Sequence, residues 1–337
     1  MSRLRPLLLF ATLIALAVAF VACGGSGSDD PQAIVDESTL QGIESGEVDL
    51  SLAVDVKGKR GGHVDVSLSG PFQGESEDDL PELDLNAEAK GSIGGEAVDF
   101  DAGLVLLGNK AYVAYEGTDY EVDATTFSFV RSTLRQQGGG SSEAPACQDA
   151  VAELEPGDFI DGLTDEGSAD VGGTSTTKIS GDLDASAAIE AFSDLLDEPA
   201  CSEQLSAAGP VPSTAELDEA AETVRDSVKS AHVELYVGDD DIVRRIAAQL
   251  TVEPAAADSD NEVKRAEVDL DLTLTGVNED QTIAAPRSSK PLSALFIKLG
   301  INPLELLGAL QGGGQGGGGL GGLLESFEDL EGLGGVQ

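Results

Sequence analysis

The sequence predicts an α+β fold, with antiparallel meanders on either side of a stretch of helical spacing. Apolar residues alternate with polar or small ones from Glu47 to Asp123 and again from His232 to Leu274, while the stretch between them changes to helical spacing. Glycines punctuate the alternating runs at turn positions. The chain has 337 residues and a formal charge of −43, yet it is 41% hydrophobic, too apolar for an acidic chain without a core.

The first 22 residues read as a removable address. Arg3 and Arg5 precede a weakly polar to apolar run from Leu7 to Phe20, and Val21-Ala22-Cys23 follows. That run falls short of the roughly 20 residues a spanning helix needs, so a signal peptide is the better reading. The stretch resembles a bacterial lipoprotein signal, in which Cys23 is acylated and becomes the new N-terminus. Phe20 stands where leucine is usual. Residues 23–32 then form a lipidated cysteine and a Gly/Ser/Asp tether. Loss of Arg3 and Arg5 takes the charge from −43 to −45. The expected location is the extracytoplasmic face of a bacterial cell membrane, with anchoring supplied by lipid rather than by the protein surface.

Residues 33–290 are expected to form the folded domain. Val48, Leu50, Leu52, Val54 and Val56 alternate first, then Val64, Val66 and Leu68, then Leu83 and Leu85, then Val98 and Phe100, then Tyr112, Ala114, Tyr120 and Val122. Gly58, Gly70, Gly94-Gly95, Gly108-Asn109 and Gly117 mark the turns. One face of this meander is apolar and one is wet. Helical spacing follows at Thr126–Gln136 and at Cys147–Glu155. Short strands are expected around 168–171 and 175–181, and Asp184 should cap a helix carrying Ile189, Phe192, Leu195 and Leu196 that stops at Pro199. Ser213 and Glu216 form a capping box ahead of a stripe of Leu217, Ala221, Val224 and Val228, with Lys229 at its C-terminal end. Strands return at His232–Val237, Ile242–Val252 and Val263–Leu274, with Gly238-Asp239-Asp240-Asp241 as a hairpin tip. Residues 291–310 read as a short amphipathic segment broken at Gly300 and Pro303. The 27 residues 311–337 contain 12 glycines and are expected to be disordered.

Cys147 and Cys201 remain as an even pair in an exported chain, which predicts a disulfide. The loop from Cys147 through Cys201 holds 55 residues, worth about 4 kcal/mol in the chain-entropy model.

Signs of catalysis are sparse. The two histidines, His63 and His232, fall inside alternating strands, and no nucleophile elbow, phosphate loop, His-Glu-x-x-His or Cys-x-x-Cys occurs. Acidic clusters at Glu75–Asp79, Asp239–Asp241 and Asp258–Asp260 lack the spacing of a calcium loop and read as solvated loop tips. No enzyme activity, metal or cofactor is expected. Nucleic acid is excluded as a partner by charge repulsion. With 4% aromatics and no Trp there is little platform for stacking sugars or bases, and an aliphatic interior suits alkyl chains.

The order of elements carries a family resemblance. Thr177-Lys178-Ile179-Ser180-Gly181-Asp182-Leu183-Asp184 runs from strand into helix, and Val233 to Val237 lead through Asp239 to Asp241 into Val243-Arg244-Arg245-Ile246. Leu272-Thr273-Leu274, Gly276-Val277-Asn278 and Ile283-Ala284-Ala285-Pro286 close it. Over roughly residues 40–287 the chain resembles the LppX/LprG-type lipoproteins of actinobacteria. That resemblance implies a curved antiparallel half-barrel covered by helices, LolA/LppX-like, with an apolar cavity that binds and carries acylated lipid or glycolipid. The cysteine pair, the extra acidic loops and the Gly-rich tail depart from it, the first suggesting a stapled helical lid. Leu50, Leu52, Val54, Val64, Val66, Leu68 and Leu85 are the candidate apolar lining. The competing expectation is a tethered structural or interaction module of the cell envelope with no small-molecule ligand.

Overall fold

A computed structural model of the chain describes residues 30–59, 61–74, 80–128, 131–132, 156–197, 201, 217, 225, 227–253 and 263–300. The strands are β1 (Ser45–Gly58), β2 (Gly62–Gln73), β3 (Glu82–Ile93), β4 (Glu96–Leu107), β5 (Lys110–Tyr115), β6 (Thr118–Glu121), β7 (Ile160–Val171), β8 (Thr174–Leu183), β9 (Val228–Gly238), β10 (Val243–Val252), β11 (Val263–Thr275) and β12 (Lys290–Pro291). They form one open sheet in the order β12-β6-β5-β4-β3-β2-β1-β11-β10-β9-β8-β7. Every neighbouring pair is antiparallel except β12 and β6.

Two meanders, β1–β6 and β7–β11, meet where β1 pairs with β11, from Glu47 opposite Thr275 to Gly58 opposite Val263. That seam pairs residues more than 200 apart in sequence, at a loop-closure cost in entropy. The cost is offset along the apolar side, where Leu50, Leu52 and Val54 oppose Leu272, Leu270 and Val268.

Two glycines inside β2 and β3 have positive φ, Gly70 at +141° and Gly91 at +145°. A Cβ on Gly70 would lie 1.9 Å from the Asp84 carbonyl oxygen, and one on Gly91 would lie 2.0 Å from that of His63. Only glycine lets the neighbouring backbones approach so closely.

The described residues form a mostly β protein with a few short helices. Among the described residues α1 (Pro31–Glu37), α2 (Ala185–Asp197) and α3 (Leu292–Leu299) stand beside a 3₁₀ turn at Pro156–Phe159 and further helical residues at 124–128, 131–132, 201, 217, 225 and 227. Asp184 caps α2 as expected, its Oδ1 accepting from the Ser186 and Ala187 amides at 2.9 and 3.0 Å. Asp123 caps a helical turn at 124–128 in the same way, accepting from the Thr125 and Thr126 amides. Gly300, in the left-handed region, ends α3 where the sequence placed a break.

Val228 and Lys229 do not end a helix. They begin β9, because Val228 pairs with Val252 and packs with Val56 and Ala266 at the lower end of the sheet. Residues 1–29 and 301–337 lie outside the described residues, as do the predicted helix at 147–155, Cys147, the 212–216 capping box and the acidic clusters 75–79 and 258–260.

One core cluster lies over the second meander. Val35 of α1 packs with Ile179, Val233, Leu235, Val237, Val243 and Ile246, joined by Ile34, Leu40, Ile160, Leu163 and Leu272.

Candidate functional site: an open apolar face

Directly opposed residues in an antiparallel pair share a face, so the registers define which side chains lie together. One row runs Ile179–Leu235–Ile246–Leu272–Leu50–Leu68–Ala87–Ala102–Tyr115 across nine strands. The next runs Val233–Ala248–Leu270–Leu52–Val66–Ala89–Phe100, and the one below it Ala231–Leu250–Val268–Val54–Val64–Gly91–Val98. A fourth aligns Leu85, Leu104, Val113 and Tyr120. A single apolar face therefore extends across both meanders.

Its cover is uneven. Ile179, Leu235, Val237, Val243 and Ile246 are buried on the β8–β10 side. On β2–β4 the same face holds Val66 at 37%, Leu104 at 38%, Ile93 at 40% and Phe100 at 48% exposure. Between Leu85 and Ile93, β3 presents only Ala87, Ala89 and Gly91 toward that face, so over this stretch β2 and β4 stand as shoulders of a shallow trough. The shoulders are two strand spacings apart, roughly 9–10 Å.

All seven residues of the expected lining stand on this face. Leu50, Leu52, Val54, Leu68 and Leu85 are half-buried, Val64 is buried, and Val66 is exposed. Ile93, Phe100 and Leu104 lie beside them; the sequence placed Phe100 in the apolar alternation but none of the three in the lining. Phe100 alternates with Val98, which is the signal that could have placed it. Exposure itself leaves no mark in alternation.

The opposite face is polar and largely self-paired. Lys178 and Glu234 meet at 2.8 Å, the Tyr236 hydroxyl donates to Glu234 at 2.9 Å, and Arg245 donates to Asp271. Lys178 and Arg245 both lie over the Tyr236 ring, at 5.8 and 5.1 Å from its centre. The Lys178 hydrogen bond holds the Glu234 carboxyl below its ordinary value. A shallow depression of about 260 Å³ on this side involves Ser51, Ala53, Ala247 and Asp269, and most of its other charged groups are already paired.

The histidines sit on this polar face too. His63 lies between Asp55 and Asp65, at 3.4 and 2.8 Å, and His232 lies 3.2 Å from Asp182. Among the described residues no group of three or more His, Cys, Asp or Glu side chains is arranged to hold a metal ion, and no helix is long and apolar enough to cross a membrane. Cys201 is fully buried.

No family model matches the chain, and no curated protein matches it either. Among solved structures it is similar to the lipoprotein LprF from Mycobacterium bovis, at 14% identity and TM-score 0.34, over 78% of this chain and 100% of that one. It is also similar to the lipoprotein LppX from Mycobacterium tuberculosis, at 13% identity and TM-score 0.30, over 76% and 100%. Lipovitellin follows at 9% identity and TM-score 0.24, where the alignment takes in 74% of this chain but only 26% of lipovitellin. No site residue is carried over from these likenesses.

Proposed function

We propose that the protein is a lipid-anchored, extracytoplasmic lipoprotein that binds or carries acylated lipid or glycolipid on the apolar face of a half-barrel sheet, without enzymatic activity. The observation that supports this is the exposure of Val66, Ile93, Phe100 and Leu104 on one continuous apolar face. Large apolar side chains left in contact on a surface mark a binding site. An acyl chain lying in the β3 trough gains about 0.8 kcal/mol for each buried CH₂. The self-paired polar face offers a small ligand much less.

Native mass spectrometry of the full chain carrying Cys23→Ala, purified from bacterial membranes or incubated with membrane lipid, tests the reading. Lipid adducts are expected, and Phe100→Asp with Leu104→Asp should remove them by placing charge in the trough. A clean apo mass under both conditions would sink the idea. Anchoring is tested separately: Cys23→Ala should move the protein into the soluble fraction, and continued dependence on detergent would refute the lipid anchor.

A further inference from the structure

Both ammonium groups at the β6–β12 edge border the apolar face. Lys290 stands in register with Tyr120, at the end of the row Leu85–Leu104–Val113–Tyr120, and is exposed. Lys298, near the end of α3, reaches the same edge: its Nζ lies 5.0 Å from the centre of the Tyr115 ring and donates to Glu116. Tyr115 opposes Ala102, which sits between Phe100 and Leu104 on the apolar side of β4.

The carboxylates of β6 belong to the other face. Asp119 opposes Ala114 and Glu121 opposes Tyr112, both off the apolar rows. A chain of formal charge −43 therefore places two lysines at the edge of its apolar face, Lys290 beside the buried Tyr120 and Lys298 paired with Glu116. The Glu116 pair is solvent-exposed, a kind of contact that contributes little and is readily exchanged for another anion. Lys290 lies three strand spacings from Leu104, roughly 14 Å between backbones, so an amphiphile with its tail on Leu104 and Phe100 spans the distance.

Building on the lipid-binding reading above, we infer that the ligand carries an anionic headgroup, phosphate or carboxylate, held at this edge by Lys290 and Lys298 while its chain lies on β2–β4. Ammonium groups at the border of an apolar surface suit such a head.

Dodecyl phosphate, dodecanoate and dodecanol share one chain and differ in the head. Their binding to the full chain carrying Cys23→Ala is read by displacement of Nile red. Dodecyl phosphate should bind roughly tenfold more tightly than dodecanol. Lys290→Gln with Lys298→Gln should remove that preference and leave dodecanol binding unchanged, whereas arginine at both positions should keep it. Dodecanoate matching the phosphate would mean that any anion serves; dodecanoate matching dodecanol would narrow the head to phosphate. Equal affinity for phosphate and alcohol, or a preference that survives the double glutamine variant, overturns the headgroup inference and leaves the apolar site standing. Failure of all three to bind overturns both.

Discussion

Arg244 has an 8% exposed side chain and donates to Asp240 at 2.7 Å across the β9–β10 tip, with a second donation to the Ile242 carbonyl at 3.1 Å. The register slips between Val243 and Arg245, so Arg244 is the extra residue of a bulge. Asp240 is half-exposed and supplies the counter-charge from water's side.

That arrangement makes the two deletions unequal. Asp240→Ala leaves a nearly buried guanidinium with only a carbonyl for company, and should cost about 1–2 kcal/mol, discounted from a fully buried pair because Asp240 faces solvent. Arg244→Met removes the charge together with its need for a partner and should cost less. Urea unfolding of both variants checks this; a larger loss for Arg244→Met would show that packing by the arginine stem matters more than the pair.

Glu234 gives a pH prediction. Its carboxyl is held below its ordinary value of 4.5, first by the Lys178 hydrogen bond and then by Tyr236. A depressed carboxylate stabilises the fold fully above its unfolded value and loses that contribution as pH falls through the folded one. The stability difference between the parent protein and Glu234→Gln should therefore be flat above about pH 5 and shrink as pH falls below 4.5. Comparing the two proteins cancels the relief of general charge repulsion that acid brings to so acidic a chain. A difference that stays constant through the acid range would mean Glu234 has no favourable ionised state in the fold.

Most of the sheet was legible because each strand buries one face, and period-two alternation survives wherever that holds. It failed at β7, where only the end near 168–171 was visible. There the register slips between Asp161 and Thr164 and again between Asp165 and Gly167, and each bulge breaks the alternation. Val228 misled in the other direction: with Leu217, Ala221 and Val224 it completes a helical stripe, but its pairing with Val252 wins. The pairing of β1 with β11 is written nowhere locally. The exposed shoulders Phe100 and Leu104 were unreadable as a site because an apolar residue under cover and one in the open look the same in sequence.

The predicted disulfide rests on Cys201, which is fully buried, and Cys147. A non-reduced digest should contain the linked peptides. Replacing both cysteines by alanine should lower stability by about 4 kcal/mol through the freed 55-residue loop. Two thiols that both alkylate in the unfolded, non-reduced protein would dispose of the pairing.

Gly70 and Gly95 separate steric from conformational cost. Gly70→Ala places a Cβ 1.9 Å from the Asp84 carbonyl oxygen, a contact that forces β2 and β3 apart. Gly95, in the β3–β4 turn, also has positive φ, at +90°, but a Cβ there meets nothing within 4 Å. Gly95→Ala should therefore cost about 1 kcal/mol of backbone strain alone. Gly70→Ala adds the clash and the lost ladder bonds, and should cost more than about 3 kcal/mol or prevent folding. Because the trough lies on β2–β4, a Gly70 variant that still folds should also bind dodecanol more weakly, while Gly95→Ala binds it normally. Equal stability of the two variants would mean that β2 and β3 do not approach so closely at Gly70.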